Sequence, residues 1–127
     1  MNDHVPVFKD EDNQRPIPSA WRETFFEIVE ALKEGDFGLV RGVSGVRPVS
    51  SKDASLIADT VQDYGAHLIS LPEETWQTSA CQWMQGYWDA LIDLFTAEEG
   101  ASDLVLSVRI YEIGDSYSFD IQSVYVP

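Results

Sequence analysis

Two segments in the first half of the chain carry apolar residues at helical spacing. The apolar face of the first consists of Trp21, Phe25, Ile28, Val29 and Leu32, and that of the second of Ala54, Ile57, Ala58, Val61 and Tyr64. Residues three and four apart share one face of a helix, so each segment predicts a helix with one buried side. Ser19 is placed to cap the first helix and Gly35 to end it. The second helix has Ser50 or Ser51 as its cap and Gly65 at its end.

The second half of the chain is dominated by strand patterns. A short strand is predicted over "HLISL" (67–71), before Pro72. "ACQWM" and "YWDALIDLF" flank Gln85-Gly86, which favours a hairpin because Gly in second place suits a two-residue turn. A helix over 76–96 stays open as an alternative, since every fourth residue is apolar at Trp83, Tyr87, Leu91 and Phe95. An antiparallel pair is predicted for "DLVLSVRIYEI" and "YSFDIQSVYVP", which "GDS" joins.

Two helices followed by a run of strands predict an α+β fold, with two N-terminal helices packed on one face of a four- or five-stranded antiparallel sheet. The length of 127 residues suits one domain. Residues 1–18 contain three Pro and are predicted to form an extended lead-in, and residues 19–127 form the single α+β domain. The Gly-rich segment 35–50 is predicted to be an irregular connector, because it lacks the spacing of a phosphate-binding loop.

The charge of the chain narrows the choice of partners. There are 22 acidic and 8 basic residues, for a net charge of -14, and residues 64–127 contain Arg109 as their single base. Such a surface repels phosphate backbones and anionic lipids, so neither a nucleic acid nor a membrane is expected to bind it directly. A basic protein is the expected partner. The N-terminus has no signal pattern and no apolar run approaches the roughly 20 residues of a membrane span, which predicts a cytoplasmic location.

Residues with catalytic or metal-binding potential are sparse and scattered. Glu98 and Glu99 lie in the loop "TAEEGASD", where adjacent carboxylates face different ways and do not form the opposed pair of a glycosidase. His4 and His67, the only histidines, are far apart in sequence, and no calcium-loop spacing is present. Cys81 is the single cysteine, has no cation beside it in sequence and is predicted to be buried. No catalytic residue, metal or cofactor is therefore predicted.

The aromatic residues offer two candidate binding sites. Trp76 follows Glu73 and Glu74 on a predicted loop and is the best candidate for an exposed anchor. Together with the acidic loop "TAEEGASD", it forms a predicted partner-binding surface. The residues of this surface are Glu73, Glu74, Trp76, Glu98, Glu99 and Asp103. The alternative is a small-molecule pocket between the sheet and the helices, lined by Trp83, Trp88 and Tyr111.

Four stretches of the chain carry a family likeness: "GVRPVS", "YGAHLISLPEETW", "WQTSACQWMQGYWDALIDLFTAEEGASDLVL" and "YSFDIQSVYVP". Their motifs are Trp76, Gln82-Trp83, the Glu98-Glu99-Gly100 turn and Ser102-Asp103-Leu104. Over residues 17–127 the chain resembles an uncharacterised family of small bacterial single-domain proteins, a domain of unknown function. The resemblance implies no reaction, cofactor or catalytic residue. In size and charge the chain is also similar to the acidic immunity proteins of bacterial toxin systems, which block a basic toxin.

Three hypotheses about function follow from these observations. The first is a non-enzymatic acidic protein-binding domain, such as an immunity or inhibitor protein that blocks a basic partner. The second is a small-molecule-binding domain or enzyme with an aromatic pocket between sheet and helices. The third is a nucleic-acid mimic, whose carboxylates would follow the spacing of phosphates. A homodimer is open as well, through Tyr111, Tyr117 and Tyr125 on the terminal strands.

Overall fold

The helices and strands follow one another in the order that the sequence pattern indicates. A computed structural model of the chain describes residues 4–127. Within them the helices are α1 (Ser19–Lys33) and α2 (Ser51–Tyr64), with a short 3₁₀-helix at Glu73–Gln77. The strands are β1 (Arg15–Pro16), β2 (Ala80–Trp83), β3 (Trp88–Thr96), β4 (Gly100–Ile113) and β5 (Ser116–Tyr125). They form one antiparallel sheet in the order β1-β2-β3-β4-β5, which confirms the predicted α+β fold.

One face of the sheet forms the core with the helices, and strand alternation decides which residues it holds. The buried residues of β3 include Trp88, Ala90, Ile92 and Leu94, and those of β4 include Leu104, Leu106, Val108 and Ile110. Helix α1 packs its predicted apolar face, including Trp21 and Phe25, into the same core. The opposite face of the sheet carries half-buried residues such as Leu91, Arg109 and Tyr111.

The segment 79–97 is a β-hairpin, as predicted. β2 and β3 pair in antiparallel register along the whole of β2. The loop residues Gln85 and Gly86 have φ angles of 57° and 126°, and the Met84 N–H donates a 2.8 Å hydrogen bond to the Tyr87 carbonyl. The two-residue loop needs positive φ at both positions, and Gly adopts it without steric cost. The helical alternative is excluded.

The serines before the two helices behave differently. The Ser50 hydroxyl caps α2 by accepting a 3.1 Å hydrogen bond from the Asp53 N–H, as predicted. The predicted Ser19 cap is wrong, because Pro18 occupies the cap position of α1 and Ser19 is the first helical residue. The Ser19 hydroxyl instead accepts the Val5 N–H at 2.7 Å, and the Ser19 N–H donates to the Val5 carbonyl at 2.9 Å. The Ser19 hydroxyl therefore binds the backbone of the lead-in and does not cap α1.

Residues 4–18 contain no helix and pack against the domain. The indole N–H of Trp88 donates a 2.9 Å hydrogen bond to the Phe8 carbonyl, and β1 pairs with β2 at the edge of the sheet. Ile17 is fully buried. The extended segment is therefore held by a core tryptophan, by a strand and by its own apolar end.

The predicted strand over 67–71 is wrong. Leu68 forms an isolated β-bridge with Thr96, and the Ile69 N–H donates a 3.0 Å hydrogen bond to the Phe95 carbonyl. β3 shifts its register with β4 close to this point. Such an irregularity bends a strand and interrupts its ladder. The segment is therefore extended but forms too few backbone hydrogen bonds with β3 to be a strand.

The Gly-rich connector is irregular, as predicted, and crosses the outer edge of β5. The Phe119 N–H donates to the Gly45 carbonyl at 2.8 Å, and the Arg47 N–H donates to the Phe119 carbonyl at 2.9 Å. Gly45 has a φ of 80°, and a Cβ added there would lie 3.3 Å from the Tyr117 carbonyl oxygen. Both the backbone angle and the close approach favour glycine at this crossing.

Candidate functional site

The 3₁₀-helix Glu73–Gln77 is fixed to the sheet through one buried threonine. The Thr75 hydroxyl donates a 2.7 Å hydrogen bond to the Asp93 carbonyl of β3. It also lies 3.0 Å from the Ser79 hydroxyl, whose oxygen accepts the Asp93 N–H at 2.9 Å. Because the single Thr75 proton is already used, Ser79 is the donor between the two hydroxyls. This chain of bonds gives Trp76, the next residue, a defined place on the surface.

A surface groove of about 300 Å³ lies between α1 and the 3₁₀-helix. It is lined by Arg22, Glu23, Phe26, Leu71, Glu73 and Trp76. Trp76 is half-buried, and its ring centroid lies 6.4 Å from that of Phe25 in the core. Phe26 is 37% exposed. The groove therefore offers two large aromatic side chains that solvent still reaches.

Arg22 stiffens one wall of this groove. Its guanidinium donates two hydrogen bonds to the Ile17 carbonyl, of 3.1 Å from Nε and 2.9 Å from Nη2. The Arg22 Cζ atom lies 5.4 Å from the Trp76 ring centroid, within the range of a cation–π contact. Trp76 is thus restrained by Phe25 and by Arg22, and it has little conformational freedom left to lose when another molecule contacts it.

Carboxylates without a basic partner border the groove. Six of the eight Lys and Arg side chains are already in ion pairs with Asp or Glu, and they are Lys9, Arg15, Lys33, Arg41, Arg47 and Arg109. Within residues 4–127, no ion pair involves Glu23 and Glu73, which line the groove, or the exposed Glu27 and Glu74 on the same two helices. Arg22 alone offsets their charge, so the potential at the groove favours a cation.

The predicted partner-binding surface is divided between two places. One part belongs to the groove and its margin: Glu73, Glu74 and Trp76. The other part lies on the turn between β3 and β4 and at the start of β4: Glu98, Glu99 and Asp103. The segment 67–71 connects them, because His67 binds the turn while Leu71 lines the groove.

Glu98 is a structural carboxylate of the β3–β4 turn. It accepts the backbone N–H of His67 at 2.8 Å, and its second oxygen lies 2.7 Å from His67 Nδ1. The Asp103 N–H donates a 3.1 Å hydrogen bond to the Tyr64 hydroxyl. These contacts close the turn onto the end of α2. The hydrogen bond from the His67 backbone, followed by the contact with its ring, holds the pKa of the Glu98 carboxyl below its usual value.

Replacing Glu98 with Gln is expected to make the fold less sensitive to acid. A carboxyl whose pKa is lower in the folded chain contributes stability that is present above its unfolded value, 4.5 for Glu98, and is lost as pH falls through the folded value. Urea denaturation between about pH 6 and pH 3 should show a smaller loss of stability for Glu98→Gln than for the wild type. Glu74→Gln removes an exposed carboxylate that has no ion pair with any described residue, and it is the control. The same pH dependence in both variants would contradict this role of Glu98.

Of the three residues of the predicted small-molecule pocket, Trp83 and Trp88 are in contact, whereas Tyr111 lies on the opposite face of the sheet. Trp88 is buried in the core, and the ring of Trp83 lies 4.6 Å from it. Trp88 is paired with Ile110 across the ladder. Tyr111, one residue further along, must therefore point to the opposite face, where its ring lies 5.8 Å from that of Tyr87.

A different cleft, of about 370 Å³, lies between the C-terminal ends of the two helices. Its apolar lining includes Leu32, Phe37, Val61 and Leu68, and its polar lining includes Lys33, Gln62 and His67. None of the aromatic residues predicted for a pocket lines this cleft.

Cys81 is buried, as predicted, and burial raises the pKa of its thiol to about 11. The thiol rather than the thiolate is therefore favoured at neutral pH. Within residues 4–127, no three His, Cys, Asp or Glu side chains gather as a metal site would require. No helix in this part of the chain combines the length and the apolar character needed to cross a membrane.

Four of the six residues that line the groove were not predicted from the sequence: Arg22, Glu23, Phe26 and Leu71. Glu23 and Phe26 both lie on α1, outside its predicted apolar face. A large aromatic side chain beside the buried stripe of a helix, as Phe26 is beside Phe25, is the signal that could have found the groove. Spacing within α1 does not reveal what lies opposite, because the 3₁₀-helix reaches this place only through the fold.

Fold and groove together define a small acidic α+β domain, with two helices on a five-stranded antiparallel sheet and a restrained tryptophan at its surface. The chain belongs to a family described as a domain of unknown function (DUF7668), whose model matches residues 29–127. This match confirms the predicted membership of an uncharacterised family. It includes Trp76, whereas Glu23 and Phe26 precede it. No curated protein and no solved structure matches the chain significantly.

Proposed function

We propose that this domain binds another protein through the groove between α1 and the 3₁₀-helix. The bound segment would place an apolar side chain against Trp76 and Phe26 and a Lys or Arg near Glu23 and Glu73. The observation that carries the proposal is the restrained, half-exposed Trp76 beside carboxylates that form no ion pair within residues 4–127.

A protein partner suits this groove better than a small molecule. Its volume of about 300 Å³ is at the lower limit for pockets that enclose a ligand. A rigid aromatic side chain with a polar margin is instead typical of the residues that dominate protein interfaces. The net charge of -14 would also speed the approach of a basic partner, and this effect falls as salt screens it.

The more specific form of the proposal is an immunity or inhibitor protein of a bacterial toxin system. Such a domain acts by covering its partner and needs no catalytic group. The support is the small size, the excess of carboxylates and the engagement of most basic side chains within the domain itself. The proposed location of this binding is the cytoplasm.

Trp76→Ala is expected to weaken binding to the groove by about thirtyfold, since removing a central aromatic anchor typically costs about 2 kcal/mol of binding free energy. The ligands are peptides selected from a displayed random library against the wild-type domain. They should combine Lys or Arg with a large apolar residue, and their affinity should fall as salt is raised. Isothermal titration calorimetry at two salt concentrations measures both effects.

A pair of charge-reversed variants separates the groove from the overall charge. Glu23→Lys with Glu73→Lys changes the margin of the groove without touching the core. Asp12→Lys with Asp115→Lys makes the same change of net charge at exposed positions away from the groove. The first pair should abolish binding and the second should leave most of it. Equal effects of the two pairs, or selected peptides without basic residues, would overturn the proposal.

A further inference from the structure

The two edges of the sheet are protected to different degrees. At one edge, β1 has only two residues and includes Pro16, which has no N–H to offer another strand. At the other edge, β5 has ten residues, and the connector pairs with it around Phe119. Within the described part of the chain, no other backbone hydrogen bond reaches β5 from outside the sheet. The edge formed by residues 121–125 is therefore open.

The backbone at this edge is oriented for pairing. Phe119 points its N–H and its carbonyl outward, because both bond the connector. Strand alternation gives the backbone groups of Ile121 the same outward direction. Beyond Ile121 the pairing with β4 shifts by one residue, at Gln122. The open stretch is short, so it suits a partner segment of only a few residues.

A groove with both apolar and polar lining lies beside the open edge. It has a volume of about 180 Å³ and lies between α2 and residues 122–124 of β5. On the α2 side it is lined by Asp53, Leu56, Ile57 and Thr60. Leu56 is 56% exposed, and it stands outside the buried face of α2. A strand placed beside β5 would therefore gain an apolar contact as well as backbone hydrogen bonds.

The charge of α2 favours one kind of segment. Asp53 borders the groove, Asp59 and Asp63 follow on the same helix, and none of the three has an ion pair within residues 4–127. Lys52 is the only base of α2. With a net charge of -14, two copies of the chain repel each other, whereas a basic segment is attracted.

We propose that the open edge of β5 is a second protein-binding site, which takes up an extended basic segment of a partner by strand addition. The segment pairs its backbone with Ile121, packs an apolar side chain against Leu56 and places a Lys or Arg near Asp53. Main-chain hydrogen bonds supply affinity in this mode of recognition, and the alternate side chains supply specificity. No residue of the groove between α1 and the 3₁₀-helix takes part, so this site does not rest on the function proposed above.

The test uses a peptide in which Val and Lys take turns at every second position with Ser between them, so that both side chains face α2, and whose ends are acetylated and amidated. Nuclear magnetic resonance of the isotope-labelled domain should show shifted amide signals at residues 121–125 and slower hydrogen exchange of the Ile121 N–H. Leu56→Lys should weaken binding of this peptide by about tenfold or more, because it removes the apolar contact and adds a like charge. Val40→Lys changes a residue that is 90% exposed by the same amount of charge and should bind nearly as well as the wild type.

A second peptide, with the same side chains and all its backbone nitrogens methylated, isolates the role of the backbone. It keeps the charges but donates no main-chain hydrogen bond, so it should not slow the exchange of Ile121. Equal binding of the two peptides would overturn strand addition. The site would be overturned if neither peptide binds, or if the amide signals shift only at Phe26 and Trp76. It would also be overturned if Leu56→Lys changes self-association of the domain instead of peptide binding.

Discussion

Replacing Trp21 with Ala is expected to lower the free energy of unfolding by about 3–5 kcal/mol, the usual cost of removing a buried aromatic side chain. Trp21 is 0% exposed. Its ring meets those of Trp88, Tyr117 and Phe119 edge-on, at centroid distances of 5.2, 5.4 and 6.2 Å. These contacts join α1 to β3 and β5. Because domains are stable by only about 5–15 kcal/mol in total, the variant should be close to unfolding under ordinary conditions.

Urea denaturation followed by circular dichroism measures this loss. Trp21→Phe keeps an aromatic ring and gives up no hydrogen bond, since the Trp21 indole N–H has no hydrogen-bond partner within the described residues. It should therefore lose much less stability than Trp21→Ala. Val40→Ala, at an exposed position, should unfold like the wild type. A loss below about 1 kcal/mol for Trp21→Ala would show that this aromatic cluster does not hold the helix to the sheet.

Thr75→Val is expected to cost about 1–3 kcal/mol of unfolding free energy, because it leaves buried polar groups without a partner. Val has nearly the shape of Thr but no hydroxyl. The Asp93 carbonyl then loses the 2.7 Å hydrogen bond from Thr75, and the Ser79 hydroxyl loses its acceptor. The 3₁₀-helix should detach more readily from β3, and Trp76 with it.

Thr75→Ser provides the matched comparison, because it keeps the hydroxyl and removes only a methyl group. It should retain more stability than Thr75→Val, and it should also retain the affinity of the groove for its selected peptides. Thr75→Val should weaken that affinity even where the domain is still folded, since the position of Trp76 depends on this bond. Equal stability and equal affinity of the two variants would show that the hydroxyl does not position the groove.

Much of the fold follows from local spacing. The apolar stripes of α1 and α2, the Ser50 cap, the Gln85-Gly86 turn and the alternation in β4 are all visible in the sequence, because each depends on residues only a few positions apart. The two errors have another origin. Ser19 and the segment 67–71 had local patterns that were overridden by contacts with distant segments, the first by Val5 and the second by the irregular end of β3.

The candidate sites divide in the same way. Trp76 with Glu73 and Glu74 was recognisable as an aromatic anchor beside carboxylates. Its partners in the groove, Glu23 and Phe26, lie some fifty residues earlier, and only the packing of the 3₁₀-helix against α1 brings them together. Glu98 lies in a loop whose composition is that of an exposed acidic segment. Its carboxylate nevertheless binds His67 and closes the turn onto α2.

By itself the sequence determined the class of fold, the excess of negative charge and the buried state of Cys81, since these depend on composition and on the short periods of helices and strands. The tertiary structure decided which carboxylates are free and which aromatic residues share a face. Ile110 pairs with Trp88, and Tyr111, the next residue of β4, points to the opposite face of the sheet. Phe26 and Trp76 are far apart in the sequence but line the same groove. Such pairings arise from side chains that meet only after the chain has packed, so no local pattern encodes them.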